Sequence, residues 1–201
     1  MRGKFITVEG PDGAGKTTQI TRLSEHLMGQ GKKVKVTREP GGTLLGEKLR
    51  DLLLFTENPV PEAEALIYAA SRAQLVKNVI LPALSEGYVV LCDRFVDSSL
   101  AYQGWARGLG IDEVLKINKW FLKECWPDLT ILLDIDPEVS LKRLKGEKDR
   151  LEMENMEFHK KVRQGFLKVH KSFPDRIVIV DAAKSPEQIF SDILQAFDKR
   201  L

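Results

Sequence analysis

The stretch Gly10-Pro11-Asp12-Gly13-Ala14-Gly15-Lys16-Thr17 constrains this chain more than any other. It spells G-x-x-x-x-G-K-T, a glycine-rich turn that cradles phosphates when a strand enters it and a helix leaves it. Both flanks fit. Phe5-Ile6-Thr7-Val8 reads as a buried strand, and Ile20, Leu23 and Leu27 recur at helical spacing. Backbone N–H groups of the turn, with the positive end of the helix, form a site for polyphosphate oxygens. Gly10 to Thr18 therefore line a nucleotide triphosphate, with Lys16 on the β/γ-phosphates and the Thr17 hydroxyl as one ligand of Mg²⁺.

With 201 residues the chain has room for one domain with a full-sized core, taken here as residues 1–201. No apolar run approaches the roughly 20 residues needed to cross a bilayer, so the expectation is a cytoplasmic protein without a membrane partner. A net charge of +2 argues against nucleic acid as a partner, since such domains usually carry a large basic excess. The two cysteines, Cys92 and Cys125, have neither metal-ligand nor C-x-x-C spacing.

Strand patterns recur at Lys33–Thr37, Tyr88–Asp93, Leu129–Leu133 and Arg176–Asp181, separated by helical patterns. The intervening helices are expected at Gly46–Phe55, Glu62 to about Leu84, from an Asp112 cap through Phe121, and from Glu152 to about His170. Ser185-Pro186-Glu187-Gln188 matches a capping box with Pro at the first helical position, opening the last helix. Alternating strands and helices predict an α/β three-layer sandwich of the P-loop NTPase type: a five-stranded parallel sheet, helices on both faces. Ligands of such sheets gather at the carboxyl ends of the strands. Lys16, Arg38, Asp93, Arg94, Asp134, Asp136 and Asp181 all follow strands and should share that edge. Asp93 looks like the carboxylate that holds Mg²⁺ directly or through water.

Arg38 and Arg94 are more cations than one triphosphate needs, so they point to a second phosphate, which guanidinium forks suit. A phosphate-ester acceptor is largely ionised near neutrality and needs no general base. Asp12 is either a structural Asp-Gly turn or a contact for a sugar hydroxyl. Tyr68 and Arg72 lie one helical turn apart, giving either a surface cation–π pair or an aromatic plate and a donor for a planar base. The charged run from Leu141 to Arg150, broken by Gly146, is a solvated face or a mobile cationic lid at about 141–152.

Val8 to Thr18, Thr37-Arg38-Glu39-Pro40-Gly41-Gly42-Thr43, and Asp93-Arg94-Phe95 through Ser98, Ala101, Tyr102 and Gln103 resemble the motifs of the thymidylate kinases. The resemblance runs nearly end to end. It implies phosphorylation of dTMP to dTDP by ATP with Mg²⁺, in a homodimer. By the same resemblance Asp12 would meet the 3′-hydroxyl, and Arg38 and Arg94 the dTMP phosphate. Tyr68 would stack on thymine, Arg72 would reach a base carbonyl and Ser99 would face the pyrimidine edge. Tyr102 would crowd the ribose 2′ position, and Arg143 would lie against adenine. Glu39, Ser98 and Gln103 join the substrate set through the same motifs. Members without an arginine in the loop usually take catalytic arginines from the lid. Here the lid is short, leaving Arg150 and Lys145 as candidates beside Lys16, Arg94 and Asp12. Alternatives are another small-molecule or nucleoside monophosphate kinase on this scaffold, or a nucleotide-dependent switch. A GTPase switch should carry N-K-x-D, but Asn118-Lys119 continues as Trp120-Phe121.

Overall fold

The structure is a computed structural model that describes residues 2–55, 58–123, 125–144 and 149–200. The expected sheet is present. Strands β1 (Lys4–Glu9), β2 (Val34–Arg38), β3 (Val89–Asp93), β4 (Leu129–Asp134) and β5 (Ile177–Asp181) run parallel in the order β2-β3-β1-β4-β5. In register, Val8 stands opposite Asp93 and Arg38 opposite the same Asp93. The chain leaves β1 toward β2 on one side and, after β3, crosses to β4 on the other. The segments that follow β1 and β3 therefore meet at one place on the carboxyl edge, where open α/β sheets bind ligands.

Strand alternation divides the core into two layers. Ile6, Val8, Leu91, Ile131 and Leu133 pack with Ile20, Leu23 and Leu27 of α1 (Lys16–Gly29) and with Ile189 and Ile193 of α9 (Pro186–Arg200). On the other face, Phe5, Val90, Cys92 and Leu132 pack with Leu75, Phe95, Phe166 and Val169. Helices α2 (Leu44–Phe55), α3 (Pro61–Leu75), α6 (Ile111–Leu122) and α8 (Met156–Ser172) complete the molecule, with shorter α4 (Leu81–Ser85), α5 (Val96–Ser99) and α7 (Pro137–Ser140). Cys92 is a fully buried core residue, as its strand position implies.

Several expected helices differ in detail. The pattern from Glu62 to Leu84 is helical, but a π-helical stretch, Val76–Ile80, joins α3 to α4. Pro82 supplies the reason, because its ring removes an N–H and crowds the carbonyl four residues before it. A second π-helical stretch, Leu100–Ala106, continues α5. Asp112 is not a cap: α6 starts at Ile111 after Gly110, whose φ is 92°, and Asp112 sits in the first turn, where its charge favours the helix dipole. Helix α8 begins at Met156 rather than Glu152. The Asn155 side chain accepts from Phe158 N–H at 2.9 Å, while Asp149 Oδ1 accepts from Leu151 N and Glu152 N and folds those residues into a turn. The capping box at Ser185 is formed, with Gln188 N–H donating to Ser185 Oγ and Ser185 N–H to Gln188 Oε1.

A polar seam runs through the second layer. Arg176 Nη1 and Nη2 each donate to Asp97 at 2.6 Å, and Arg176 Nη1 also donates to Thr130 Oγ1. Asp97 is 1% exposed, so its charge depends on that arginine. Replacing Arg176 by Met removes the partner and leaves a buried carboxylate uncompensated, which typically costs about 3–5 kcal/mol. Urea denaturation at neutral pH should show that loss for Arg176→Met; an unchanged midpoint would mean that the pair contributes nothing to folding.

Candidate active site at the carboxyl edge of the sheet

The phosphate turn is shaped by close backbone approach. A Cβ on Gly13, whose φ is +77°, would stand 2.0 Å from the Ser140 carbonyl oxygen, so α7 closes on the turn only because glycine is there. Gly15 has φ +91° and meets nothing within 4 Å on that side. Lys16 is buried and folds back, donating from Nζ to Gly10 O at 3.2 Å and Pro11 O at 3.0 Å. Burial first, and the nearby Arg94 charge second, lower its pKa, with Asp12 and Asp93 opposing. Thr17 Oγ1 lies 3.3 Å from Asp93 Oδ2.

Next to the turn stands a cluster built on Arg94, the first residue after β3. Its main chain has φ 66°, a left-handed conformation that residues with a Cβ rarely adopt. Nη2 of Arg94 pairs with Asp12 Oδ1 and lies 3.3 Å from the Tyr102 hydroxyl. Nη1 donates to Gly10 O and to Ser98 Oγ, each at 3.1 Å. The Tyr102 hydroxyl donates to Asp12 Oδ2 at 3.1 Å. Burial would raise the Asp12 pKa, but Arg94 and then Lys16 outweigh it and hold the carboxyl at about 2.

A cavity of about 620 Å³ joins these groups. It takes in Asp12, Gly13, Gly15, Lys16, Thr17, Thr18, Arg38, Glu39, Tyr68, Arg72, Asp93, Arg94, Ser98, Ser99, Tyr102, Gln103 and Arg143. Gly10, Pro11 and Ala14 do not line it; the first two point carbonyls at Lys16, and Ala14 packs in the core. Arg38 sits at an exposed rim and pairs with Glu47 at 3.0 Å. Arg143 Nη1 donates to Ala182 O at 3.0 Å.

Arg72 is not the surface partner of Tyr68 that one reading of the sequence allowed. It is 1% exposed, and its guanidinium lies 5.5 Å from the Phe95 ring centroid. It donates to Glu39 Oε2, Asn118 Oδ1, Phe95 O and Ser99 Oγ, which leaves a single N–H of its fork to spare. Burial pushes the Glu39 carboxyl up to about 7 although Arg72 pulls it down. Gln103 Nε2 donates to the fully buried Glu64 at 2.8 Å.

Arg150, expected as a lid cation, does not face the cavity. Its Nη2 donates to Glu64 Oε2 at 2.6 Å and its Nε to Leu53 O at 2.9 Å. The cause is Glu64, a carboxylate deep between helices that needs a cation, with Arg107 as a second at 3.4 Å. Lys145 lies outside the described residues. Asp134 and Asp136 reach the carboxyl edge but pair with Arg163, away from the cavity. Sequence reasoning also missed Arg50, Asp149, Leu151 and Glu152 on the cavity wall. Asp149, Leu151 and Glu152 belonged to the suspected lid, and Arg50, half-buried with Nη1 donating to Pro40 O, carried no signal in its short helix.

A strand, a glycine turn with its lysine and a following helix, with the Arg94 cluster beside them on the same sheet edge, are the framework of a P-loop kinase. Residues 8–193 match the family model described as "Thymidylate kinase". A thymidylate kinase of Thermoanaerobacter pseudethanolicus is 53% identical over the whole of both chains. One from Caldanaerobacter subterraneus subsp. tengcongensis is 51% identical over 100% of this chain and 98% of its own. The crystal structure of thymidylate kinase from Ehrlichia chaffeensis superposes with a TM-score of 0.81 at 32% identity, over 98% of this chain and 99% of that one. The chain belongs to the thymidylate kinase family.

The charge balance of the cluster is open to direct measurement. The Asp12 carboxyl is depressed, so its ionised form is favoured by the fold above the ordinary carboxylate range, and that contribution disappears as pH falls through about 2. NMR titration should place its midpoint well below 3.8. In Arg94→Met the largest lowering influence is gone and the midpoint should rise; a midpoint that stays low would assign the depression to Lys16 and the Tyr102 hydroxyl.

Proposed function

We propose that this chain transfers the γ-phosphoryl group of ATP to dTMP, yielding dTDP and ADP. The observation that carries the reading is the Arg94–Asp12–Tyr102 cluster. It sets a second anion site against the phosphate turn, in a chain that belongs to the thymidylate kinase family. A phosphate oxygen of dTMP forms the new P–O bond, and the bond to the β,γ-bridging oxygen breaks, leaving with its electron pair on ADP. The acceptor is already ionised near neutrality, so no side chain needs to take a proton. What the protein supplies is alignment of two mutually repelling anions and cations over the transferring group.

In this reading the turn from Gly10 to Thr18 holds the triphosphate, with Lys16 exchanging its contacts with Gly10 O and Pro11 O for phosphate oxygens. Arg143 lies on the adenine side. Arg94 and Arg38 hold the acceptor phosphate, Arg38 after release from Glu47. Asp12 takes the 3′-hydroxyl and Tyr102 bounds the ribose at the 2′ position. Tyr68 stacks on the base, while Arg72, Ser99, Gln103 and Glu39 shape its polar edge, and Ser98 acts through its contact with Arg94. Lys145 is the lid cation of the proposal, in a single domain with a lid at about 141–152.

Mg²⁺ fits the residues present. Thr17 Oγ1 and Asp93 Oδ2 are 3.3 Å apart, close to the roughly 3 Å between neighbouring ligands of an octahedral ion with 2.0–2.1 Å bonds. When bound, Mg²⁺ neutralises charge on the β- and γ-phosphates. No helix among the described residues is long and apolar enough to cross a membrane, and the reaction is proposed to take place in the cytoplasm.

The proposed assembly is a homodimer. Leu45 and Phe55 of α2, Leu66 of α3 and Trp120 of α6 are 47%, 69%, 56% and 83% exposed, on helices that pack side by side. Apolar surface of this kind is what an obligate interface covers. Leu66→Glu should sediment as a monomer at concentrations where the parent is a dimer; an unchanged dimer would move the interface elsewhere.

Coupled assay of ADP release against the common nucleoside monophosphates should show dTMP preferred, and comparable turnover of AMP or CMP would remove the thymidine assignment. Arg94→Ala should lower turnover by about a thousandfold with an unchanged circular dichroism spectrum. Near-normal turnover would refute its role.

A further inference from the structure

One buried carboxylate at the site has no part in the chemistry above. Glu9 ends β1, directly before the phosphate turn, and is fully buried. An ionised carboxylate there is costly unless it is paired and hydrogen-bonded. Burial first and the Asp97 charge second push its pKa up to about 7, against hydrogen bonds from Ser98 and Phe95 N–H and the Arg94 charge. Its contacts say what the carboxylate does. Oε1 accepts from Phe95 N–H at 2.7 Å, and Oε2 accepts from the Ser98 hydroxyl at 2.5 Å. Ser98 Oγ in turn accepts from Arg94 Nη1 at 3.1 Å.

Both contacts converge on Arg94. The first holds the peptide N–H that immediately follows its φ 66° backbone. Such a conformation costs of order 1–3 kcal/mol and persists only where surrounding groups fix it. The second contact orients, through one hydroxyl, the guanidinium that pairs with Asp12. Because Val8 and Asp93 are neighbours in register, the end of β1 is the place from which a side chain reaches both.

We infer that Glu9 is a positioning residue of the acceptor site: through Phe95 N–H and the Ser98 hydroxyl it fixes Arg94 in the conformation that meets the acceptor phosphate. The inference rests on the reading of Arg94 given above. It implies that Glu9 governs use of the monophosphate and not of ATP, although Glu9 adjoins the ATP turn in sequence.

Steady-state kinetics of Glu9→Gln, Ser98→Ala and the double variant, with dTMP and ATP each varied, test it. The amide keeps the shape but loses one of the two acceptors. In Glu9→Gln, kcat/KM for dTMP should fall by about tenfold or more, as expected for a lost hydrogen bond to a charged group. The KM for ATP should stay within about twofold, and Ser98→Ala should add no more than about twofold on top of Glu9→Gln, because both act on one contact. Wild-type kcat/KM for dTMP in a folded Glu9→Gln, equal rises in both KM values, or losses that multiply in the double variant would each overturn the inference. Should Glu9→Gln fail to fold, Ser98→Ala retains the Phe95 contact, and an unchanged kcat/KM for dTMP there overturns it as well. Arg94→Ala separates the two levels. If it leaves kcat/KM for dTMP unchanged, the acceptor-site reading itself fails; if it is impaired while Glu9→Gln is not, only the role of Glu9 fails.

Discussion

A carboxylate set inside an anion-binding turn has to be neutralised, and in this chain the Asp12–Arg94 pair does it. The turn exists to attract negative charge; Asp12 unpaired would work against it. Arg94 lies close enough to cancel that charge because β1 and β3 are adjacent and in parallel register, and because Arg94 accepts a left-handed backbone. Once the pair is made, Asp12 still accepts from a neutral donor, the Tyr102 hydroxyl.

Much of the architecture was legible because it depends on local pattern. The glycine turn, the five strands and the capping box at Ser185 are each specified by residues close in sequence, and each is present. Asp93 and Arg94 could be placed at the binding edge because they end a strand, which is a topological statement. What local pattern could not show was which charges are buried against each other. Arg72 lies on a helix face beside Tyr68 in any helical projection, yet Glu39 from the loop after β2 and Asn118 from α6 draw it inward. Arg150 was read with the lid for the same reason; Glu64, some 86 positions earlier in the chain, decides its direction. The π-helical stretches escape periodicity because one extra residue per turn leaves composition unchanged. That at Leu100–Ala106 carries Tyr102 and Gln103 on the cavity wall, and Gly165 lets α8 approach it, since a Cβ there would stand 2.8 Å from Ala101 O.

A net charge of +2 hides how the arginines are used. Arg72, Arg150 and Arg176 are committed to the buried carboxylates Glu39, Glu64 and Asp97. These pairs are weak evidence for stability, since two desolvated ions roughly offset their own attraction. Their consequence is geometric. Glu64 ties Gln103, Arg107 and Arg150 to α3, and Glu39 ties Arg72 to the loop after β2. The wall of the cavity is therefore fixed by directional contacts rather than by apolar packing alone.

Such a wall has its dipoles in position before a ligand arrives, and preorganised charge is what lowers a barrier whose transition state differs from its ground state mainly in charge distribution. Lys16 differs from the other cations in the site. Its hydrogen bonds go to the neutral Gly10 and Pro11 carbonyls, with the Asp12 carboxylate farther off at 3.9 Å, and burial with Arg94 nearby weakens its hold on its proton. A phosphate oxygen in place of those carbonyls would reverse that effect, because an opposite charge at the same distance favours the ammonium. Lys16 thus gains from the triphosphate what Arg94 already has from Asp12.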